Sequence, residues 1–255
     1  RVVYDDNNNP LKSTTLVKQS GATVQTTVSD VAYYPPTVSP YVVGRPSGKN
    51  QSVTISGDVL TSEEVYVYEN NLLSNIKKKG TNTDYITEDN VYDAFGNITK
   101  KTITASGLSP RITNYEYDPS GRFLTKSTDI ERLSTSFDYN YSNGTVKSET
   151  NPYGLTTSYL YDSWFKKTTT TDYLGKKNSY VYARSGQKTI VTSTADDGSI
   201  SEETFDDLGR KIKAGSKNIM GTFSYVDYVY DIYDRNYKVS EPYFNTFVCV
   251  NKIWN

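Results

Sequence analysis

The sequence predicts an all-β protein built as an array of antiparallel hairpins. Three observations predict it. Apolar and polar residues alternate at period two, as in Tyr159-Leu160-Tyr161, Tyr180-Val181-Tyr182 and Tyr228-Val229-Tyr230, which puts alternate side chains on one face of an extended chain. A strand-turn-strand unit recurs, with the aromatic before its turn at Tyr68, Tyr92, Tyr117, Tyr139, Tyr161, Tyr182, Phe205 and Tyr230, in steps of 21 to 25 residues. No part of the 255 residues carries a helical period, whereas threonine, valine and 24 tyrosines favour strands.

In chain order, residues 1–62 read as an irregular, proline-punctuated leading segment with one weak copy of the unit at Val2-Val3-Tyr4 and the turn after it. The cluster Asp5-Asp6-Asn7-Asn8-Asn9 lacks the spaced carboxylates, central glycine and distal glutamate of a calcium loop, so it reads as turn chemistry. Tyr33 to Pro46 holds four prolines and cannot be a central strand; it predicts a connector or cap along the sheet. Residues 63–243 form the array of about eight hairpin units. Residues 244–255 depart from the pattern and read either as a closing strand or as a cut or altered end.

The best-formed unit is Tyr115-Glu116-Tyr117-Asp118-Pro119-Ser120-Gly121-Arg122-Phe123. Its two tyrosines share a face, Asp118 opens a turn, and Gly121 can take the positive φ that closes it. The turn glycine recurs four residues after the aromatic at Gly96, Gly186 and Gly209, and five after it at Gly144. Leu72, Phe165 and Asp234 replace it elsewhere, which predicts wider or differently built turns there. Gly154, Gly175 and Gly198, each seven residues before the next aromatic, mark the handover turns at the other end of the strands.

Composition excludes several functions. A net charge of −1 argues against a nucleic-acid partner, and no apolar run reaches membrane-spanning length. The runs Lys77-Lys78-Lys79, Lys100-Lys101, Lys166-Lys167 and Lys176-Lys177 read as solvated strand positions that discourage edge-to-edge aggregation. One cysteine, Cys249, permits no internal disulfide and no structural zinc site. With no histidine, the usual general base and commonest metal ligand are missing. The carboxylate pairs Asp196-Asp197 and Asp206-Asp207 fall at turns, where neighbours face opposite sides. An enzyme is not expected, nor a cofactor, a metal site or any catalytic residue.

The repeated motif resembles the YD repeat of the Rhs family, Tyr-Asp-x-x-Gly-Arg and an apolar residue. It is carried by Tyr92, Asp93 and Gly96; by Tyr117, Asp118, Gly121 and Arg122; by Tyr161 and Asp162; by Tyr182 and Gly186; by Phe205, Asp206, Gly209 and Arg210; and by Tyr230 and Asp231. The resemblance covers about residues 64–243 and implies a sheet that curves and spirals as part of an Rhs-type shell. Repeats of this kind occur in bacterial toxins, wall-associated proteins and teneurins, and many members enclose a C-terminal toxin.

That resemblance implies a structural section of a secreted or surface-delivered shell that encloses or presents a C-terminal effector, with flanking repeats or that effector of the same polypeptide as partners. The alternative is a cell-surface carbohydrate-binding or adhesion module whose tyrosines stack on glycan rings. The chain starts at Arg1 with no apolar signal segment, which predicts a mature or excised piece of something longer. Shell proteins that release cargo carry an Asp-Pro-x-Gly motif linked to self-cleavage. Asp118-Pro119-Ser120-Gly121 matches it but lies mid-array, so it reads as a turn.

Overall fold

The computed structural model describes residues 1–81 and 83–244, and no helix occurs among them. The chain divides into two compact units, Arg1–Ser134 and Thr135–Asn255. In the first lie β1 (Val2–Tyr4), β2 (Pro10–Gln19), β3 (Ala22–Tyr33), β4 (Thr37–Val38), β5 (Tyr41–Val42), β6 (Pro46–Ile55), β7 (Asp58–Glu69), β8 (Leu72–Gly80), β9 (Ile86–Tyr92), β10 (Ile98–Thr104), β11 (Arg111–Tyr117) and β12 (Leu124–Thr128). Apart from β4 and β5, which pair only with each other, every strand lies antiparallel beside the next in sequence.

The second unit repeats the arrangement with β13 (Ser134–Tyr139), β14 (Val146–Thr150), β15 (Thr156–Tyr161), β16 (Lys167–Thr171), β17 (Lys177–Ser185), β18 (Lys188–Ala195), β19 (Ile200–Phe205), β20 (Lys211–Lys217), β21 (Phe223–Tyr230), β22 (Asn236–Val239) and β23 (Tyr243–Phe244). Neighbours again pair antiparallel, and β22 and β23 both add to β21. Of the atypical tail only Phe244 is described; Cys249 and Trp254 lie outside the described residues.

Residues 1–62 are more regular than their composition suggests. Strands β2, β3 and β6 run for 10, 12 and 10 residues. Pro10 and Pro46 stand at first strand positions, where a missing N–H is tolerated, and Ser20-Gly21 and Ser56-Gly57 turn with both residues at positive φ. The proline-rich passage does pack along the sheet: the Tyr34 hydroxyl donates to the Tyr66 carbonyl at 2.9 Å, and its ring meets Tyr68 edge-on at 5.9 Å.

No thick core forms. Among the described residues, Tyr225, 8% exposed, is the one apolar side chain that is buried, and none is buried completely. Burial is spread thinly over many half-covered tyrosines and threonines, so the antiparallel ladder and the turns carry much of the structure.

A register shift marks the aromatic before the turn. It falls at Tyr68, Tyr117, Tyr139, Tyr161, Phe205 and Tyr230, and opposite Tyr92 at Ile98/Lys100. One residue of the return strand is left out of the pairing, as in a bulge next to a glycine turn. Several of these residues are hydroxylated and donate back across the pair: Ser74 to Val67 O, Thr99 to Val91 O and Thr125 to Glu116 O, at 3.2, 3.2 and 3.0 Å.

Candidate functional surface: capped turns and tyrosine rungs

The recurring element is a turn held by one side chain. At Asp93, Oδ1 accepts N–H bonds from Phe95 and Asn97 at 2.8 and 2.9 Å, while the Asp93 N–H donates to Asn97 O at 2.9 Å. Asp162 does the same with Trp164 and Lys166, Asp206 with Leu208 and Arg210, and Asp231 with Tyr233 and Arg235. A carboxylate suits this role because it accepts several bonds at once and is stabilised by each donor.

The fourth turn residue has a left-handed backbone, with φ of 88° at Gly96 and 76° at Gly209. Sequence reasoning predicts wider or differently built turns where glycine is absent, and the structure corrects this at two sites. Phe165 and Asp234 take φ of 60° and 63° within the same hydrogen-bonded frame as their glycine relatives. The aspartate cap holds the geometry against the modest cost of a side chain there. At Leu72 the turn is differently built, as expected: Asn70 and Asn71, both at positive φ, form a two-residue turn.

Tyr182 and Gly186 also differ from expectation. Ala183 offers no carboxylate, so β17 runs on to Ser185 and turns through Gly186 and Gln187, with Gly186 at φ 60°. Tyr182 pairs in register with Val191 and carries no bulge.

Sequence reasoning missed the caps at the other end of the strands. Asp129, Asn151, Asp172 and Asn218 each accept N–H bonds from residues two and four further on, at 2.8 to 3.1 Å. Gly154, Gly175 and Gly221 lie three residues after Asn151, Asp172 and Asn218, a spacing that could have located those caps; after Asp129 the same place holds Arg132, at φ 65°.

Asp118 is the most tightly held cap. It is 7% exposed and accepts from the backbone of Ser120, Arg122 and Phe123 at 3.2, 2.7 and 2.8 Å, and from the Ser120 hydroxyl. The Ser120 hydroxyl bond, with the backbone donors and against the opposing effect of burial, lowers its pKa to about 2. An ionised carboxylate so engaged serves the turn. Asp206 is lowered too, first by the Arg210 side chain, and Asp231 first by the Arg235 backbone N–H.

Beside the caps, side chains reach from one hairpin to the next. Arg210 holds Asp206 Oδ2 through Nε at 2.7 Å and reaches Asp234 through Nη1 at 2.6 Å, two turns joined by one guanidinium. Asn97 stands at the same place in its turn and spans likewise, donating to Asp93 Oδ2 at 3.0 Å and to Gly121 O at 2.7 Å. Arg122 bonds Ser120 Oγ through Nε at 3.0 Å and lies over the Phe123 ring at 5.0 Å.

The motif tyrosines make the second link. Tyr92, Tyr182 and Tyr230 donate their hydroxyls to the carbonyls of Leu73, Lys167 and Lys211 at 2.7, 3.0 and 3.1 Å. Each acceptor lies on the return strand of the preceding hairpin, so the rung between hairpins is a hydroxyl bond. Lys166 and Arg210 cover the Tyr182 and Tyr230 rings at 5.3 and 5.1 Å. Burial raises the pKa of Tyr92, Tyr117, Tyr161 and Tyr182.

The adjacent carboxylates are engaged as turn and strand acceptors. Asp196 Oδ2 accepts the Lys177 N–H at 2.8 Å, Asp197 Oδ1 the Ser199 N–H at 2.9 Å, and Asp207 lies 3.8 Å from Arg184. Asp172, Lys176, Lys177, Asp196 and Asp197 border an open cleft of about 440 Å³.

No protein-family model matches the chain, and no curated protein does. Among solved structures it is similar to a chain of the TcdB2-TccC3-Cdc42 crystal structure, with 15% identity and a TM-score of 0.52 over 99% of this chain and 15% of that one. A chain of the TcdB2-TccC3 crystal structure aligns at 8% identity and a TM-score of 0.46, over 94% and 23% of the two chains. One from the Photorhabdus luminescens Tc holotoxin pore aligns at 12% and 0.36, over 96% and 18%. The chain thus spans less than a quarter of these neighbours, and the first likeness shows a shared fold.

Proposed function

We propose that this chain is a structural section of an Rhs-type shell in a secreted or surface-delivered protein, enclosing or presenting an effector carried by the same polypeptide. The observation that supports this most is the succession of antiparallel hairpins in each unit, many of them capped and linked hairpin to hairpin by tyrosine hydroxyls and by Arg210 and Asn97. The likeness to a chain of the TcdB2-TccC3-Cdc42 structure adds support at the level of fold. In this reading the chain performs no catalysis; it forms a wall, and its partners are flanking repeats and the cargo.

The test is limited proteolysis of the intact gene product. A C-terminal region that resists trypsin only while the array is folded supports the shell. A reading frame with no region beyond the array, or a C-terminal region digested at the same rate with and without the array, overturns it.

A second reading, glycan binding, is favoured by one observation. Trp164 and Tyr153, 82% and 80% exposed, project from turn tips two residues after their caps, where a sugar ring could stack. Retention on a glycan array that falls with Trp164→Ala or Tyr153→Ala supports it; no retention rejects it.

A further inference from the structure

In the first unit, the excursion from Tyr34 to Arg45 interrupts the succession of hairpins between β3 and β6. It encloses a cleft of about 310 Å³ lined by Tyr34, Pro35, Pro36, Thr37, Val42 and Arg45. The lining is largely apolar, and its hydroxyls are already used: Thr37 donates to Pro40 O at 2.6 Å and Tyr34 to Tyr66 O at 2.9 Å. What remains is the charge of Arg45.

Arg45 is half-buried and lies over the Tyr68 ring at 4.9 Å. Its Nη2 donates to the neutral Asn71 Oδ1 at 2.6 Å, and no carboxylate among the described residues comes within 4.0 Å of its guanidinium. Arg210 and Arg235, by contrast, each hold an aspartate at 2.7 Å. A partly desolvated guanidinium favours an anion, and its planar fork suits a carboxylate held by two bonds. A single cation in an apolar cleft at the small end of ligand-site volumes matches a singly charged acid better than a phosphate.

We propose that this cleft binds a monocarboxylate with an apolar or aromatic body, the carboxylate on Arg45 and the body against Pro35, Pro36 and Val42. This site is independent of the shell reading: the excursion lies outside the repeating turns, and ligand binding there can fail or succeed whether or not the array encloses a cargo.

The experiment is a titration of the whole chain with 3-phenylpropionate, followed by amide NMR. Saturable shifts at Tyr34, Thr37, Val42 and Arg45 are expected, with the uncharged 3-phenylpropionamide binding at least about tenfold more weakly. Arg45→Met abolishes the response, and Arg45→Lys, which keeps the charge without the fork, falls between. Absence of saturable shifts, equal binding of acid and amide, or full binding by a folded Arg45→Met chain overturns the proposal. Should Arg45→Met disturb the fold, the comparison of acid with amide on the unaltered chain decides.

Discussion

The ring of Phe95 fills the space that a side chain on Gly121 would need: a Cβ there would stand 2.4 Å from Phe95 Cγ and Cδ2. Gly121 also has φ 69°, so Gly121→Ala meets both a left-handed backbone and a neighbouring aromatic turn tip. The expected loss in urea unfolding is about 2–5 kcal/mol, from backbone strain of about 1–2 and overpacking of about 1–3. Gly154→Ala, at φ 76° with nothing within 4 Å of the new Cβ, should lose only the backbone part. Adding Phe95→Ala should recover some of the Gly121→Ala loss.

Phe165 holds a glycine's place at φ 60° and is 57% exposed, so little burial is lost by removing its ring. Phe165→Gly is expected to raise the urea midpoint, by about 0.5–1 kcal/mol in stability. Asp234→Gly relieves similar strain but deletes the carboxylate that Arg210 reaches, and should gain less or nothing.

Acid should act on the caps. Asp118 falls from an ordinary 3.8 to about 2 in the folded chain, so the stability it supplies is complete above about pH 4 and is lost as pH falls towards 2. Asp93 shifts the same way: burial pushes it up, but bonds from Asn97, Phe95 and Gly96 prevail. Urea midpoints should therefore rise with pH across that window. Asp118→Asn should flatten the rise, and an unchanged pH profile would contradict the assignment.

Removing one rung tests the tyrosine link. Tyr92→Phe keeps the ring and deletes the hydroxyl bond to Leu73 O, with an expected loss of about 1 kcal/mol and faster amide exchange in β8 and β9. Exchange in β1 and β2 should stay as it was.

The guanidinium link calls for a salt test. Arg210→Met should lower the urea midpoint, and the deficit should shrink in 1 M NaCl because Asp234 is largely exposed. A deficit that is the same at both ionic strengths would point to packing on Tyr230 instead.

Much of this fold was legible in the sequence because period-two patterning and a repeated turn are both local. The strands on either side of Tyr92, Tyr117 and Phe205 follow from alternation and a short turn opened by aspartate and closed by glycine. What stayed hidden was non-local or permissive. Phe165 and Asp234 show that a cap can hold a left-handed residue that is not glycine, so the missing glycine misled. Tyr182 kept its motif spacing but lost the aspartate after it, and the longer strand followed from Ala183. The Asx caps at Asn151, Asp172 and Asn218 were visible three residues before a glycine, yet the aromatic pattern drew attention to the other turn. The clasp of Arg210 on Asp234 joins residues 24 positions apart, a distance that alternation does not encode.

Because Tyr225 is the lone buried apolar side chain among the described residues, those residues have little hidden oil to expose on melting. Its unfolding should show a small heat-capacity increment per residue, and damage to one hairpin should travel only to the hairpins that touch it. Such an array can lose a link and keep its other hairpins, behaving more like mail than like a droplet.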